Sequence, residues 1–251
     1  MIASKLPIKL KKEPLIDAIF AIQFSSSTSA STVLPGLLFS KLDEKGKKIE
    51  RLPIADFPVQ IRNDNPILRL QPLVKLDLGN FLVLIGDNNL SVATVMPYCG
   101  WAAFKEKIIQ IFGLLGDMKI IDTIDRYSMK YVSVVGGTSI ADQINKINMA
   151  VKLGSHQLTA ETFNIRIEIP RHDLLHIVQI AAPAVAALPD GQSRTGVVID
   201  IDTLCNYQTS ELATLFTELP DRLEKIHTGN KEMFFECLKP ETIESMEPLY
   251  G

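Results

Sequence analysis

The feature that most constrains the fold is a change of hydrophobic period along the chain. Between Pro58 and Met96 the sequence has short segments rich in Val, Ile and Leu, separated by turn-forming runs such as Asn-Asp-Asn-Pro and Gly-Asp-Asn-Asn. This spacing is typical of hairpins in an antiparallel sheet. From Pro97 to Leu115 the period becomes helical, with Trp101, Phe104 and Ile108 on one apolar stripe. A sheet face therefore has to be buried against helices.

The same order of elements is predicted in each half of the chain. In the first half we expect a strand at 15–24, a helix at 32–42 and a charged turn at 41–51. A meander of about four strands follows, drawn from the segments 58–63, 67–71, 73–78, 81–85 and 90–96, and then the helix at 97–115. In the second half we expect a strand at 120–135, a helix at 139–145, strands at 147–153, 158–169, 174–182 and 195–203, a turn at 188–191, a helix at 209–238 that Pro220 could interrupt, and a terminal helix from Pro240.

The sequence thus predicts an α+β fold of two β-α-β4-α halves, residues 1–117 and 118–251, with tandem antiparallel sheets that are each backed by a long helix. The halves form either two layers or one continuous, pseudo-duplicated domain. The saddle of TATA-binding protein and the helix-grip ligand-binding folds are similar in element order. That similarity concerns architecture, and a fold alone does not define a function.

Composition and charge exclude several classes of protein. Hydrophobic residues make up 46% of the 251 residues and charged residues 22%, which excludes wholesale disorder, a collagen-like fibre and a globally basic coat protein. Residues 1–51 nevertheless carry a net charge of +4 and residues 200–251 a net charge of -7. The charges are explained either by two solvated faces, or by a basic end that attracts an acidic partner such as nucleic acid, or by an acidic end that mimics a nucleic-acid backbone.

The cysteines and the apolar runs predict a cytoplasmic protein. Cys99, Cys205 and Cys237 lie far apart and form no CxxC motif, so neither a disulfide framework nor a cysteine zinc site is expected. The first residues contain no apolar signal-peptide core. The most apolar stretch, at 177–188, is shorter than the roughly 20 residues that span a bilayer, so no membrane association is predicted.

Five segments carry a resemblance to a known family. They are Pro14–Phe24 (PLIDAIFAIQF), Tyr98–Trp101 with Phe104, Asp125–Val132 (DRYSMKYV), Asp200-Ile-Asp202, and Ile226-His227 with Asn230 and Phe234-Phe235. Together they resemble a sporadically distributed family of prokaryotic proteins of about this length, whose function is not established. The resemblance runs from about residue 13 to residue 248.

Two positions depart from that family's pattern. Its members usually carry Glu at the position of Asp17, and a Gly-Leu-Arg-Tyr-like core where this chain has Tyr127–Tyr131. Lys130 therefore cannot supply a bidentate guanidinium. The patchy distribution of the family implies accessory cargo, such as defence or mobile-element genes. No catalytic residue can be carried over from it.

Several acids and histidines are candidates for metal binding or catalysis, but the local sequence pattern favours structural roles for them. His172 and His176 have the spacing of metal ligands on a helix. A strand predicted from Leu174 instead puts His172 in a turn and His176 in the ladder, so no metal site is expected. Carboxylates at strand ends can bind Mg²⁺ or act in acid–base catalysis, and more often form structural ion pairs. The four such acids are Asp122, Asp125, Asp200 and Asp202. A salt bridge from Arg126 to one of them is predicted.

The remaining candidates are aromatic and polar side chains. Tyr98, Trp101 and Phe104 could stack on nucleic-acid bases, but core packing after a helix start at Gly100 is the preferred interpretation. His227 and Asn230 lie three residues apart and could form a polar surface or a buried hydrogen-bonded pair. Cys99 precedes the same helix start and is expected to be a neutral thiol.

The sequence therefore favours a non-catalytic binding or interaction module for a protein or nucleic-acid partner. GxSxG, P-loop and GxGxxG motifs are absent from it, so catalytic residues, metals and cofactors are not assigned. One alternative is a small-molecule-binding domain of the helix-grip kind; a second is a metal-dependent, nuclease-like enzyme that uses the four acids. Exposed edge strands would favour a homodimer. The binding candidates are Tyr98, Trp101, Arg126, Lys130, Tyr131, Asp200, Asp202, His227 and Asn230.

Overall fold

The structure, a computed structural model, describes residues 6–188, 191–209 and 212–251. Helices pack against a nine-stranded antiparallel sheet, which confirms the predicted α+β class. The predicted turn at 188–191 and the predicted helix start at 209–211 fall partly outside the described residues. No helix in the described part of the chain is long and apolar enough to cross a membrane.

The bounds of the elements are as follows. The strands are β1 (Lys9–Leu10), β2 (Leu15–Ser25), β3 (Lys48–Arg51), β4 (Val74–Asp77), β5 (Phe81–Ile85), β6 (Asn89–Thr94), β7 (Thr123–Gly136), β8 (Lys152–Leu153), β9 (His156–Gln157), β10 (Phe163–Arg171), β11 (Leu174–Ala187), β12 (Ser193–Thr209) and β13 (Pro248–Leu249). The helices are α1 (Ala30–Lys41), α2 (Val59–Asp64), α3 (Pro66–Arg69), α4 (Trp101–Met118), α5 (Ile140–Lys146), α6 (Leu212–Glu236) and α7 (Pro240–Ser245), and a 3₁₀ turn covers Pro53–Asp56.

The large sheet has the strand order β10-β11-β12-β7-β2-β6-β5-β4-β3. Its two edge strands are β10, which has nine residues, and β3, which has four. Two further pairs, β1 with β13 and β8 with β9, form separate two-stranded sheets. Sequence neighbours pair as hairpins on both sides of the central strands, as the turn signals predict.

The amphipathic pattern of α4 is confirmed. Gly100 precedes the helix with φ of 91°, a conformation that side-chain-bearing residues rarely adopt. The apolar stripe is buried along the helix, whereas the charged residues between its members remain partly or fully exposed. The buried stripe consists of Phe104, Ile108, Ile111, Phe112 and Leu115. Burial of each such side chain contributes roughly 1.5–3 kcal/mol.

The chain divides into two compact units that are discontinuous in sequence. The first unit comprises Met1–Asp17, Lys130–Thr203 and His227–Gly251. The second unit comprises Ala18–Met129 and Leu204–Ile226. Each unit thus takes residues from both of the sequence halves predicted above.

Each unit has its own core. In the second unit, Phe20 of β2 meets Phe112 of α4 edge to face, with ring centroids 5.3 Å apart, and α1 contacts β4, β5 and α4. In the first unit, Val178 and Ile180 of β11 and Ile199 of β12 pack with Met233 of α6 in one buried cluster. Alternate strand positions supply these side chains, as the period of two requires.

The prediction of strands at 58–63 and 67–71 is wrong. These residues form the short helices α2 and α3. The fourth strand of the first half is instead β3, which lies in the segment predicted as a charged turn and pairs with β4. Proline and asparagine favour helices over strands here, because Pro58 and Pro66 supply preset φ values at helix starts and Asn65 caps α3.

The second half also differs from its prediction. Of the strand expected at 147–153, Lys152–Leu153 forms a strand and Ile147 forms an isolated antiparallel bridge with Leu238. Pro220 lies inside α6 without ending it. After α5 the second half therefore has a hairpin of two-residue strands, β8 and β9, and three long strands, where about four strands were expected. Internal duplication stays a prediction.

Candidate functional site

Exposed apolar side chains are concentrated in the connection from β3 to β4 in the second unit. We call residues 53–70 the apolar segment; it contains the 3₁₀ turn, α2 and α3. Its exposed members are Phe57, Val59, Ile61, Ile67 and Leu70, and Ile67 is 71% exposed. Single exposed apolar residues are ordinary, but a concentration of them in one short connection is typical of an interaction site.

The local sequence explains why these side chains stay in solvent. The Asn65 side chain accepts hydrogen bonds from the backbone N–H groups of Ile67 and Leu68, at 2.9 and 3.2 Å, and so starts α3. The helix α3 has four residues and α2 has six. Helices of one turn or slightly more are too short to bury an apolar face along their length.

An ion pair between the buried Arg62 and the partly buried Asp87 anchors the apolar segment. Arg62 is the buried residue of α2, and its Nη2 lies 3.5 Å from Oδ2 of Asp87. The other carboxylate oxygen of Asp87 accepts hydrogen bonds from the hydroxyl groups of Ser29 and Ser31, at 3.0 and 2.6 Å. The segment thus places a charged side chain inside and apolar side chains outside, the reverse of a surface helix whose only role is to cover a core.

A polar cleft of about 290 Å³ lies beside the apolar segment. The apolar segment contributes Asn63 and Arg69 to its lining, and Gln23, Asn88 and Asp125 complete the polar part. The amide groups can both donate and accept hydrogen bonds, while Arg69 and Asp125 supply one charge of each sign. The cleft is suited to a polar group rather than to an apolar ligand. Asp125 is the sequence-predicted acid that the structure places here.

The aromatic candidates lie at the start of α4. Both carboxylate oxygens of Glu224 accept from Nε1 of Trp101, at 3.1 Å, and Nζ of Lys105 lies 2.7 Å from the same group. The rings of Tyr98 and Trp101 each meet Phe104 edge to face, with centroids 6.3 Å apart. These contacts are typical of core and helix packing. Trp101 is hydrogen-bonded to an acid, whereas an aromatic side chain that stacks on nucleic-acid bases lies among basic side chains.

The acidic candidates have separate structural partners. Oδ2 of Asp122 accepts from the N–H of Ser27 at 2.6 Å. Asp200 pairs with Lys130, with 2.8 Å between Oδ2 and Nζ, a salt bridge that differs from the one predicted for Arg126. Within the described ranges, Arg126 makes no ion pair with any of the four acids, and no three His, Cys, Asp or Glu side chains are grouped closely enough to hold a metal ion. Asp202 is half-buried, two residues further along β12.

The histidine candidates belong to the first unit. His172 is exposed in the turn before β11, with φ of 56°. His227 of α6 is joined to Tyr131 of β7, with 3.0 Å between its Nδ1 and the Tyr131 hydroxyl group. His176 is fully buried in β11.

A buried polar cluster surrounds Thr203. Its hydroxyl oxygen lies 2.9 Å from Nδ1 of His176 and accepts from Nδ2 of Asn230 at 3.0 Å. Asn230 also donates to the carbonyl oxygen of Ile201 at 2.9 Å. Burial lowers the pKa of His176, and the charge of Arg171 lowers it further. The cluster is a neutral hydrogen-bonded part of the core, without access for a substrate.

Cys99 and Cys237 are also not activated as nucleophiles. Desolvation raises the pKa of the exposed Cys99 thiol despite its place before α4. Burial raises the pKa of Cys237 to about 11. Neither thiol is therefore an activated nucleophile at neutral pH.

Sequence reasoning missed the main elements of the site. The sequence pattern predicts strands at 58–63 and 67–71, which would bury alternate side chains. It does not reveal the Arg62–Asp87 pair, because the two residues are distant in sequence. The available signal was Asn65-Pro66, a helix start in the middle of a predicted meander. Thr203 was likewise missed, although a Thr on the apolar face of a strand requires a hydrogen-bond partner.

Comparison of the chain with protein-family models and with curated proteins gives no match. The resemblance carried by the five sequence segments therefore stays an expectation.

Proposed function

We propose that the protein is a non-catalytic interaction module that binds a protein partner across the apolar segment. The observation that carries this proposal is the concentration of exposed apolar side chains on a segment anchored by the Arg62–Asp87 pair. Apolar area removed from water contributes roughly 25 cal/mol per Å². Burial of these exposed side chains by a partner would therefore contribute favourably to the free energy of binding.

The charge of the apolar segment supports a protein rather than a nucleic acid as partner. Residues 53–70 contain Arg62 and Arg69 against Asp56 and Asp64. A nucleic-acid platform combines aromatic side chains with an excess of Lys and Arg. The apolar segment has no such excess, and its exposed apolar side chains other than Phe57 are aliphatic.

The proposal extends to the cellular location and the oligomeric state of the protein. The free thiols Cys99, Cys205 and Cys237 favour a reducing cytoplasm. The resemblance noted above suggests an accessory role, such as defence or mobile-element biology. The two edge strands of the large sheet, β10 and β3, support a homodimer as the protein's own assembly.

Site-specific photo-crosslinking in the native host tests the partner proposal. A photoreactive amino acid replaces Ile67 in one variant and, as a matched control, Leu153 in another. Leu153 is 82% exposed on the β8–β9 hairpin, outside the apolar segment. We expect one protein to be cross-linked from position 67 and not from position 153, and its recovery to survive nuclease treatment.

A second pair of variants checks that the apolar surface itself binds. Ile61→Ser combined with Ile67→Ser should reduce recovery of that partner at least about ten-fold, whereas Leu153→Ser should leave it unchanged. The same proteins cross-linked from both positions, nucleic acid recovered in their place, or full binding by the double variant would contradict the proposal.

The polar cleft supports small-molecule binding as a second candidate function. Its volume of about 290 Å³ and its lining by amides, Arg69 and Asp125 suit a small polar ligand. A thermal-shift screen of polar metabolites would then give a hit whose stabilisation is abolished by Arg69→Gln and kept by Arg51→Gln. A screen without such a hit would remove this candidate and leave the interaction proposal intact.

A further inference from the structure

The strand β10 has an unpaired outer edge that is long enough to hold a second strand. It pairs with β11 over its whole length, from Phe163 opposite Ala182 to Arg171 opposite Leu174. In the described part of the chain, no other element hydrogen-bonds to its outer edge. An exposed edge of this kind is a template for pairing with another chain.

From Ile165 to Ile169, the side chains of β10 alternate between apolar and charged. Phe163 and Ile169 pack against the buried core of the first unit. Ile167 lies between them on the same face, yet is 49% exposed. On the other face, Nη1 of Arg166 lies 2.7 Å from Oε1 of Glu168, and both side chains are half-exposed. Natural edge strands are commonly protected by charge or proline. In β10, Pro170 lies near the end of the strand, and the central charges are one Arg and one Glu, which attract rather than repel the same pair on a second copy.

We propose that β10 pairs antiparallel with β10 of a second copy, about a two-fold axis at Ile167. This inference rests on the proposed homodimer and names its interface. In this register Arg166 lies opposite the partner's Glu168, and Glu168 lies opposite the partner's Arg166. Ile167 then meets the partner's Ile167, and the remaining exposed area of both side chains is covered.

Charge selects this register over its neighbours. A two-fold axis perpendicular to the sheet keeps each side chain on its own face, so the register can shift only by two residues between opposed positions. One shift places Arg166 opposite the partner's Arg166, and the other places Glu168 opposite the partner's Glu168. Like charges directly opposite each other destabilise a strand pair, and opposite charges stabilise it.

Charge reversal tests the interface by sedimentation velocity of the full chain over a range of concentrations. Arg166→Glu places two acids opposite two acids and should raise the dimer dissociation constant about ten-fold or more. The exchange Arg166→Glu with Glu168→Arg restores opposite charges at every pair and should restore dimerisation. Arg51→Glu, on the edge strand β3, is the matched control and should have no effect.

The possible results distinguish failure of the β10 interface from failure of the homodimer proposal. A wild-type chain that is monomeric at every concentration overturns both. A dimer that is unaffected by Arg166→Glu keeps the homodimer and overturns the β10 interface, and so does a charge exchange that fails to restore association. Thermal unfolding of each variant checks that the fold is intact. Ile167→Lys, which places two ammonium groups at the axis, should also give a monomer.

Discussion

Single residues in the first unit show how a polar cluster is kept inside a core. His176, Thr203 and Asn230 satisfy one another across β11, β12 and α6. His176 is fully buried and its Nε2 has no hydrogen-bond partner. Protonation would place a positive charge in this site without a partner for the new N–H group. The folded state therefore requires the neutral imidazole.

The stability of the protein should depend on this residue at mildly acid pH. Because the pKa of His176 is lowered in the folded state from its ordinary value of 6.5, the unfolded chain binds a proton first as the pH falls. The stabilising contribution is complete above pH 6.5 and is lost as the pH falls below it, by at most about 1.4 kcal/mol per pH unit. Urea unfolding at several pH values between 5 and 8 measures this slope.

His176→Gln is the control for that prediction. The charges that act on the pKa of His176 are those of Arg171 and Glu236, which form a bidentate pair at 2.8 and 2.9 Å. The pKa of Glu236 is lowered by Arg171 from 4.5, so its contribution is lost only at more acid pH. The variant should therefore lose the slope between pH 5 and 6.5. A wild-type slope in His176→Gln would show that another group is responsible.

At the scale of elements, two glycines should respond oppositely to the same substitution. Gly196 of β12 faces the backbone of Val135 on β7, and a Cβ there would overlap the Val135 carbonyl group. Gly113 is exposed in α4, with open space around it. Gly196→Ala should cost about 2–3 kcal/mol by forcing two strands apart, whereas Gly113→Ala should stabilise by roughly 0.5–1 kcal/mol. Denaturant unfolding measures both, and equal effects would contradict the close strand contact.

The anchor of the apolar segment gives a prediction for α2 and α3. Asp87→Asn removes the negative charge that pairs with buried Arg62 and should loosen the segment because a buried charge without its partner is costly. Amide hydrogen exchange in residues 59–69 should become at least about ten-fold faster. Asp56→Asn is the matched control, since the Arg51–Asp56 pair is exposed and contributes little. Unchanged exchange in Asp87→Asn would show that packing alone holds the segment.

How far elements could be predicted depends on how much of their signal is local. The helix α4 and the strands β11 and β12 have long periodic patterns, and the sequence predicts the place of each. Both strands continue past their predicted ends at 182 and 203, to Ala187 and Thr209. The helices α2 and α3 lack a period because they bury little beyond Arg62. The candidate site depends on Arg62 meeting Asp87 and on the cleft that brings Asp125 near Arg69. These contacts join residues far apart in sequence, which periodicity does not encode.

At the scale of the whole molecule, the two units are tied together by continuous elements. The strands β2, β7 and β12 and the helix α6 each begin in one unit and end in the other. If either unit unfolded alone, these three strands and the helix would therefore each be folded over only part of their length. Their backbone hydrogen bonds and apolar stripes would end without a cap, so we expect the units to unfold together.

The single tryptophan makes this cooperativity measurable. Trp101 lies in the second unit and reports on its unfolding by fluorescence, while Gly196 lies in the first unit. If the molecule unfolds as one, Gly196→Ala should lower the denaturant midpoint that Trp101 reports by as much as the midpoint from far-ultraviolet circular dichroism, with a single transition in both. A Trp101 midpoint that stays at its wild-type value, while the dichroism signal becomes biphasic, would show that the shared strands and helix do not transmit the loss of the first unit to the second.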